Sequence, residues 1–324
     1  MRTNLMAMGL AALVSAIALG PPATAQDYPV RAVHIIVPFP AGGTADVMPR
    51  IVADWLSRKW GQPVVIENKT GAAGNIGAEA AYRAEPDGYT LLSAPPPPLV
   101  INQNLYPKLG FDPLQFVPIA VMGIVPNALI VNPNKIAART VADFIANAKA
   151  NPAKITVATQ GNGTTSHLTS ELFQLMAKVT FVQVPYRGTA PALQGLLAGD
   201  VDVMFDNLGV SLGMVKAGQL RLIAVGTEQR MSTLPEVPTI AETLPGFASS
   251  AWFAVVAPPK TPAAIVAKIN ADIAAAVRDP DVRKRLADLS ADPVGGTTAE
   301  TAAFMRAEVE RWNKVIKVAN VKLK

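Results

Sequence analysis

The stretch V-P-F-P-A-G-G-T-A-D, from Val37 to Asp46, overlaps the end of the apolar run V-H-I-I-V, which begins at Val33. That run predicts a buried strand, and apolar residues recurring at steps of three and four after the stretch predict an amphipathic helix. A glycine pair between a buried strand and a helix is a place where backbone N–H groups can converge on an anion. The stretch therefore predicts a strand–turn–helix unit that holds a nucleotide phosphate, a catalytic oxyanion or the carboxylate of a small solute.

The helix after this turn is expected to begin with Asp46 as its N-cap. If Thr44 were the N-cap, Pro49 would fall at a position whose N–H should already be bonded within the helix. With Asp46 as the cap, Pro49 lies in the first turn, where its missing N–H is harmless.

The strand–turn–helix pattern returns further along the chain. Strands are predicted at Val64–Ile66 and Tyr89–Ser93, with a glycine-rich turn and a helix from Ala78 to Ala84 between them. A second strand–helix series follows, and it includes a helix that Thr140 is expected to cap. Strands that alternate with helices at this spacing predict an α/β fold with a largely parallel sheet.

Two long apolar runs, Val121–Val131 and Ala248–Pro258, suggest that the chain crosses twice between two lobes. We expect lobe 1 to comprise residues 26–126 and 247–324, and lobe 2 to be an insertion of residues 127–246. After the second run only helices are predicted, and they return to lobe 1. A single larger sheet is the alternative.

Residues 1–25 have the features of a secretory signal peptide. A positive start at Arg2 precedes an apolar run from Leu5 to Leu19 and an A-x-A cleavage pattern at Ala23–Ala25. A transmembrane anchor is the alternative, but the apolar run is shorter than the roughly 20 residues that a spanning helix needs. We expect cleavage and export. The chain has no cysteine, so the exported protein must be stabilised by burial rather than by disulfides.

The charge of the chain does not point to nucleic acid. The formal net charge of +5 is scattered, with no basic stripe and no interleaving of arginine with aromatic residues. The densest basic stretch is the tail K-V-A-N-V-K-L-K, residues 317–324, which a solvated C-terminus explains better. No nucleic-acid partner is expected.

Residues suited to catalysis or metal binding are few. The histidines are His34 and His167, and no His/Asp/Glu cluster has the spacing of metal ligands, so neither a metal nor a cofactor is expected. Ser166 and His167 are neighbours but lack the G-x-S-x-G arrangement and the partners of a catalytic triad. The glycine turn after Val37 lacks the lysine of a phosphate-binding P-loop. We therefore expect a binding protein rather than an enzyme.

Two loops at the predicted carboxyl ends of strands are alike, and ligands of open parallel sheets bind there. Each of P-A-G-G-T-A-D (Pro40–Asp46) and Q-G-N-G-T-T-S-H (Gln160–His167) offers free N–H groups, hydroxyl donors and a following helix, the second predicted from about Leu168. Each charge-assisted bond to a carboxylate could contribute about 1.5–3 kcal/mol. One such loop is readily explained as a tight turn. Two of them, one in each lobe, predict a clamp that closes on a carboxylate.

At this point seven motifs, in order, match a known family. They are P-F-P-A-G-G-T-A-D, V-I-E-N-K-T-G-A-A-G-N-I-G, E-P-D-G-Y-T-L-L, G-N-G-T-T-S-H-L, V-P-Y-R-G-T-A-P-A-L, L-P-E-V-P-T-I-A-E and W-F-A-V-V-A-P. Along nearly its whole length the mature chain resembles the periplasmic solute receptors of tripartite tricarboxylate transporters, also called Bug receptors. The resemblance implies a two-lobed periplasmic binding protein of type II (a Venus flytrap), each lobe a mixed sheet flanked by helices, that delivers small carboxylates to membrane permease subunits.

The resemblance also implies where the ligand lies. In that family the ligand carboxylate is held mainly by backbone and hydroxyl groups of the two glycine loops, often through bridging waters. The matching positions here are Phe39, Ala41, Gly42, Gly43, Thr44 and Asp46 in lobe 1, and Thr159, Gly161, Asn162, Gly163, Thr164, Thr165 and His167 in lobe 2. Asp206 and the turn Tyr186–Thr189, with Tyr186 as its ligand contact, match further positions of the lobe 2 cleft, and both lie in candidate loops at strand ends, Pro185–Thr189 and Asp206–Asn207.

One segment departs from the family pattern. After the third strand the family usually carries small hydroxyl or polar residues, whereas Pro95–Pro98 offer no N–H donors and favour a stiff, polyproline-like path. A rigid surface loop is one interpretation. The other is that Ala94 and Pro95 belong to the ligand site and that the loop forms an apolar wall. Such a wall would favour a carboxylate with an apolar or aromatic body over citrate or a dicarboxylic amino acid.

Three functions remain open on the sequence. The first is a monomeric periplasmic receptor that feeds a permease, and the second is a periplasmic module that signals to a membrane sensor kinase. The third is a hydrolase that uses Ser166 or His167, which the missing triad partners disfavour.

Overall fold

The computed structural model describes residues 28–319 and residue 321, so the predicted signal peptide lies outside the described residues. The strands are β1 (Val33–Val37), β2 (Val64–Asn68), β3 (Thr90–Ala94), β4 (Val117–Val131), β5 (Thr156–Thr159), β6 (Val182–Pro185), β7 (Val203–Asn207), β8 (Arg221–Val225), β9 (Ser250–Ala257) and β10 (Asp292–Gly295). The α-helices are α1 (Thr44–Trp60), α2 (Asn75–Tyr82), α3 (Val141–Ala150), α4 (Thr165–Ala177), α5 (Thr189–Ala198), α6 (Leu208–Lys216), α7 (Ala263–Ala276), α8 (Pro280–Ala287) and α9 (Thr298–Val318). No helix within the described ranges is both long and apolar enough to cross a membrane.

The strands form a mixed arrangement in the order β2-β1-β3-β9-β4-β7-β5-β6, with β8 and β10 also paired to β4. The 15-residue strand β4 joins the two halves because it changes partners midway. Pro126 pairs with Ser250 of β9, whereas Asn127 pairs with Asn207 of β7. The chain is thus a two-lobed α/β protein, as predicted. The lobe boundaries at 126/127 and 246/247 stay a prediction, which this change of partners supports.

Each lobe has its own apolar core. In lobe 1 the buried face of α1, with Ile51 and Leu56, packs against β1 and the closing helices. In lobe 2 aromatic rings dominate, and Phe173 contacts the rings of Phe144 and Phe205 at centroid distances of 5.7 and 5.3 Å. Separate cores allow the lobes to move as rigid bodies about the connecting strands.

The predicted start of α1 is wrong. The helix begins at Thr44 with Gly43 as its N-cap, and Pro49 lies inside it. The Asp46 N–H already donates to the Gly43 carbonyl at 2.9 Å, so Asp46 is the third helical residue. From there its carboxylate reaches back to the N–H of Gly42 at 3.0 Å. The buried acid is satisfied in this way, and the helix accommodates one missing N–H at the proline.

Two further elements differ from the prediction because of contacts with residues distant along the chain. Helix α2 begins at Asn75, earlier than expected, because Gly77 lets its first turn approach the strand end: a Cβ atom on Gly77 would lie 2.9 Å from Pro38 Cα. The expectation of helices alone after β9 is also wrong, since β10 pairs antiparallel with β4. Its D-P-V-G sequence has little strand propensity and pairs only because the fold brings β4 alongside it. Helix α9 spans Thr298–Val318, the bounds that the sequence predicted for the last helix.

Candidate ligand-binding cleft

A cavity lies where the two lobes meet, and we call it the inner cavity; the empty space inside it and at its mouth is about 390 Å³. Lobe 1 supplies the turn after β1, the segment after β3 and one side chain of β9, and lobe 2 supplies the residues that follow β5, β6 and β7. The lining residues are Phe39, Pro40, Gly43, Ala45, Pro95, Pro97 and Phe253 from lobe 1, and Gln160, Thr164, Thr165, Gly188, Thr189 and Asn207 from lobe 2.

The N-termini of α1, α4, α5 and α6 converge on this cavity. Their N-cap residues are Gly43, Thr164, Gly188 and Asn207, and all four line it. The first N–H groups of a helix have no partner within the helix, and the helix dipole places partial positive charge there. Four such ends create a site for negative charge although none of the residues that line the inner cavity in the described structure is ionisable.

Hydroxyl groups add donors to the inner cavity. The Thr165 Oγ1 accepts a hydrogen bond from the Asn207 side-chain amide at 3.2 Å, which leaves its own hydrogen to donate. By contrast, the Thr164 hydroxyl has no free hydrogen for a ligand, since it caps α4 and donates to the Gly161 carbonyl at 2.7 Å. Thr165 is therefore the better hydroxyl donor of the pair.

The lobes touch across the cleft at glycines. A Cβ atom placed on Gly43 would lie 3.0 Å from Thr189 Oγ1, and one placed on Gly188 would lie 3.1 Å from Pro40 Cδ. These residues come from opposite lobes, so the structure is in a closed conformation. A larger side chain at either glycine would hold the lobes apart.

Thr44 lies at a third contact of this kind. Its Oγ1 is buried without a hydrogen-bond partner among the described residues, and a Cβ atom on Gly209 of α6 would come within 2.5 Å of it. The hydroxyl therefore faces the opposite lobe. The predicted ligand contact of Thr44 stays a prediction, and in the closed conformation this side chain seals the interface between the lobes.

Asp46 shapes the first glycine loop. Its carboxylate accepts hydrogen bonds from Gly42 N at 3.0 Å, Asn68 Nδ2 at 2.9 Å and Arg50 Nε at 3.0 Å. Burial alone would raise the pKa of Asp46, but these hydrogen bonds outweigh burial and hold the pKa below its ordinary value. The Gly42 N–H is thereby occupied, so it is not one of the free donors that the sequence suggested.

His167 shapes the second glycine loop in a similar way. Its Nδ1 accepts a hydrogen bond from the Gly163 N–H at 3.2 Å, which places the ring proton of the neutral form on Nε2. Burial lowers the pKa of His167 to about 4, so the ring is neutral near pH 7. This histidine holds the loop in position and does not line the cavity.

A second, larger space, here called the outer chamber, adjoins the inner cavity and measures about 900 Å³ with the solvent at its mouth included. Phe39, Pro40, Gln160 and Gly188 line both spaces. The other lining residues of the outer chamber are Pro38, Thr70, Gly71, Ala72, Ala73, Gly74, Tyr106, Gly161, Asn162, Tyr186 and Arg187.

The predicted site residues fall into three groups. Phe39, Gly43, Pro95, Thr164 and Thr165 line the inner cavity. Phe39, Gly161, Asn162 and Tyr186 line the outer chamber. Ala41, Gly42, Thr44, Asp46, Ala94, Thr159, Gly163, His167 and Asp206 line neither space in the closed structure. Their contact with a ligand stays a prediction.

The proline segment after β3 takes a different path from the one expected. Pro96 has helical backbone angles (φ −49°, ψ −38°), and Pro97–Ile101 form a π-helical turn, so the polyproline-like path is wrong. Prolines fit the first turn of a helix because its N–H groups need no partner within the helix. The prolines are buried, which excludes a surface loop, and Pro95 and Pro97 form part of the inner-cavity wall.

Several lining residues were not predicted. Gly188 and Asn207, which precede α5 and α6, were not named singly, but they lie in the Pro185–Thr189 and Asp206–Asn207 loops that the sequence offered as candidates. Phe253 carried no such signal, because it lies within a continuous apolar strand whose residues are almost all buried.

Two buried groups near the cleft, Asp206 and His167, should make the free energy of unfolding depend on pH in opposite directions. Burial raises the pKa of Asp206 from 3.8 to about 6, so its contribution to stability is present below about pH 3.8 and is lost as pH rises through 6. For His167, burial lowers the pKa from 6.5 to about 4, so its contribution is lost as pH falls from 6.5 towards 4. In the unmodified protein the two effects partly cancel.

The Asp206→Asn variant should expose the histidine effect. We expect its free energy of unfolding to fall about 2–3 kcal/mol further than that of the unmodified protein between pH 7 and about pH 4. Urea denaturation at four pH values measures this difference, and asparagine preserves the oxygen that accepts from Gln160 Nε2 at 2.8 Å. His167→Asn is the reciprocal variant and should show the opposite slope. Parallel pH profiles for all three proteins would contradict the prediction.

Comparison with known proteins identifies the family. The family model described as "Tripartite tricarboxylate transporter family receptor" matches residues 48–321. The chain belongs to this receptor family. Protein BugT of Bordetella pertussis is 37% identical over 325 residues, covering 99% of each chain. The description of the family model gives its members the role of a receptor in a transport system.

Solved receptor structures agree with this fold over most of the chain. Rpa4515 of R. palustris, determined with adipate, is 38% identical with a TM-score of 0.89, covering 91% of this chain and 99% of its own. MatC from Rhodopseudomonas palustris, determined with bound malate, is 33% identical with a TM-score of 0.84, and the match covers 89% of this chain and 100% of MatC. The periplasmic binding protein BugD is 32% identical with a TM-score of 0.86, and the match covers 92% of this chain and 100% of BugD.

Proposed function

We propose that this protein captures a small organic carboxylate between its two lobes in the periplasm and delivers it to the permease subunits of a tripartite transporter. The observation that carries the proposal is the convergence of four helix N-termini on one cavity whose lining residues are not ionisable. Such a site favours an anion and holds the carboxylate in the inner cavity without an ion pair to a lining side chain.

The walls of the inner cavity indicate the body of the ligand. Phe39, Pro95, Pro97 and Phe253 present apolar surface, while Thr165 and Thr189 supply hydroxyl groups on the facing lobe. A carboxylate at the helix ends with an apolar body against the proline and phenylalanine side fits this division. Adipate and malate in the two related structures are small carboxylates as well.

A ligand panel tests the proposal. Purified protein, unfolded and refolded to remove bound solute, is heated with adipate, malate, hexanoate, benzoate, citrate or a neutral amide of similar size. We expect a concentration-dependent rise in Tm with carboxylates of apolar body and none with the amide. No rise with any carboxylate would contradict carboxylate capture. A strong rise with citrate alone would contradict the apolar wall.

Delivery to a permease requires a cellular test. We expect cells that lack this gene to lose uptake of the radiolabelled ligand, and expect a plasmid copy to restore it. N-terminal sequencing of the periplasmic form should show that residues 1–25 are absent. Normal uptake combined with a lost transcriptional response would instead support the sensor function.

A further inference from the structure

The charge of the outer chamber differs from that of the inner cavity. Among its lining residues in the described structure, Arg187 is the one with a charged side chain. That side chain is exposed and makes no ion pair or hydrogen bond with any residue of the described ranges. Some arginines of this protein are neutralised, for example Arg230 by Glu242 at 2.8 Å and Arg285 by Asp54 at 2.9 Å, whereas exposed arginines such as Arg139 make no ion pair with a described residue but line neither space. Arg187 thus offers an uncompensated cation beside the cleft.

The backbone around Arg187 is held firmly. On one side the Tyr186 N–H donates to the Thr159 carbonyl at 2.9 Å. On the other side Gly188 caps α5, has a φ of +107° that other residues rarely adopt, and packs against Pro40 of the opposite lobe. The arginine therefore extends from a fixed point beside Gly188, which lies at the boundary between the two spaces.

The boundary itself is mostly apolar. Phe39, Pro40 and Gly188 line both spaces and offer no charged group to a ligand that passes between them, and Gln160 is the polar exception. Methylene groups suit such a passage, whereas a carboxylate placed there would lose water without gaining a strong partner.

We infer that the outer chamber is a second anion subsite, in which Arg187 binds the distal carboxylate of a linear dicarboxylate with an apolar chain. The inference rests on the proposed function, since the proximal carboxylate occupies the inner cavity, and it names the ligand class. The planar guanidinium can donate two parallel hydrogen bonds to a carboxylate.

Matched ligands and matched variants test this subsite. Calorimetry measures Kd for the diacids succinate, glutarate, adipate, pimelate and suberate, and for monoacids of equal chain length such as hexanoate for adipate. We expect the unmodified protein to prefer one diacid over its monoacid. In Arg187→Gln the Kd of that diacid should rise about ten-fold while the monoacid Kd stays within about two-fold. Arg187→Lys should recover part of the loss.

The control is Arg139→Gln, which removes an exposed positive charge from the same lobe away from both spaces. It should leave both ligand classes unaffected. Equal weakening of diacid and monoacid by Arg187→Gln, or no weakening, would overturn the subsite while leaving carboxylate capture intact. Failure of the unmodified protein to bind either class would instead refute the proposed function itself.

Discussion

Gly43→Val is expected to raise the Kd for the best ligand of the carboxylate panel at least about 100-fold while the fold stays intact. Gly43 has extended backbone angles (φ −93°, ψ 169°), so valine fits its local conformation. Even the first added carbon would lie 3.0 Å from Thr189 Oγ1 and 3.2 Å from Thr189 Cβ. The two further methyl groups of valine therefore force the lobes apart. Separation removes two or more charge-assisted hydrogen bonds from the carboxylate, at about 1.5–3 kcal/mol each.

Calorimetry measures the loss of binding, and small-angle scattering of the ligand-saturated protein measures the failure to close. Gly213→Val is the matched control, because Gly213 lies in a lobe 2 helix with nothing within 4 Å of an added Cβ atom. It should bind as the unmodified protein does. Unchanged affinity in Gly43→Val would show that closure at this contact is not needed for capture.

Glu308→Ala is expected to lower the free energy of unfolding by about 3–5 kcal/mol. The Glu308 Oε2 accepts hydrogen bonds from two buried indoles, Trp252 Nε1 at 2.7 Å and Trp312 Nε1 at 2.9 Å, and its Oε1 accepts from Arg311 at 3.0 Å. Trp252 belongs to β9 and Trp312 to α9, so this carboxylate ties the closing helix to the sheet of lobe 1. Alanine leaves both indole N–H groups buried without an acceptor.

Urea denaturation measures the effect, and Glu310→Ala is the control. Glu310 is exposed on the same helix, so its removal should change stability by less than about 0.5 kcal/mol. Glu308→Gln keeps one oxygen that can accept a hydrogen bond, so its loss of stability should lie between those of Glu308→Ala and Glu310→Ala. A similar small loss for Glu308→Ala and Glu310→Ala would contradict a structural role for the paired indole bonds.

Local signals in the sequence predicted the elements that local chemistry controls. The apolar run from Val33 is β1, and Thr140 caps α3 by accepting the Asp143 N–H at 3.1 Å. The start of α9 coincides with a capping box of Thr297 and Glu300, again a contact between residues close in sequence. Signals of this kind failed where a distant contact decided the outcome, as at β10, which pairs with β4 against its own weak propensity.

The candidate site divides in the same way. The two glycine loops contributed Gly43, Thr164 and Thr165 to the inner cavity, as their sequences suggested. Asp46 and His167 are in the same loops, yet each uses its polar atoms to hold a neighbouring N–H instead of lining the cavity. Sequence spacing cannot separate these roles, because both need a polar residue beside a glycine.

The sequence by itself determined that this is an α/β receptor chain with anion-binding turns at strand ends, since strand, turn and helix signals are local and periodic. Only the tertiary structure decided which helix ends meet. The switch of β4 from β9 to β7 between Pro126 and Asn127 brings the N-caps of α1, α4, α5 and α6 around one cavity. It also places Phe253 on the cavity wall and Arg187 in the adjoining chamber. Such neighbours are set by sheet order and lobe closure, which arise from contacts among residues far apart along the chain.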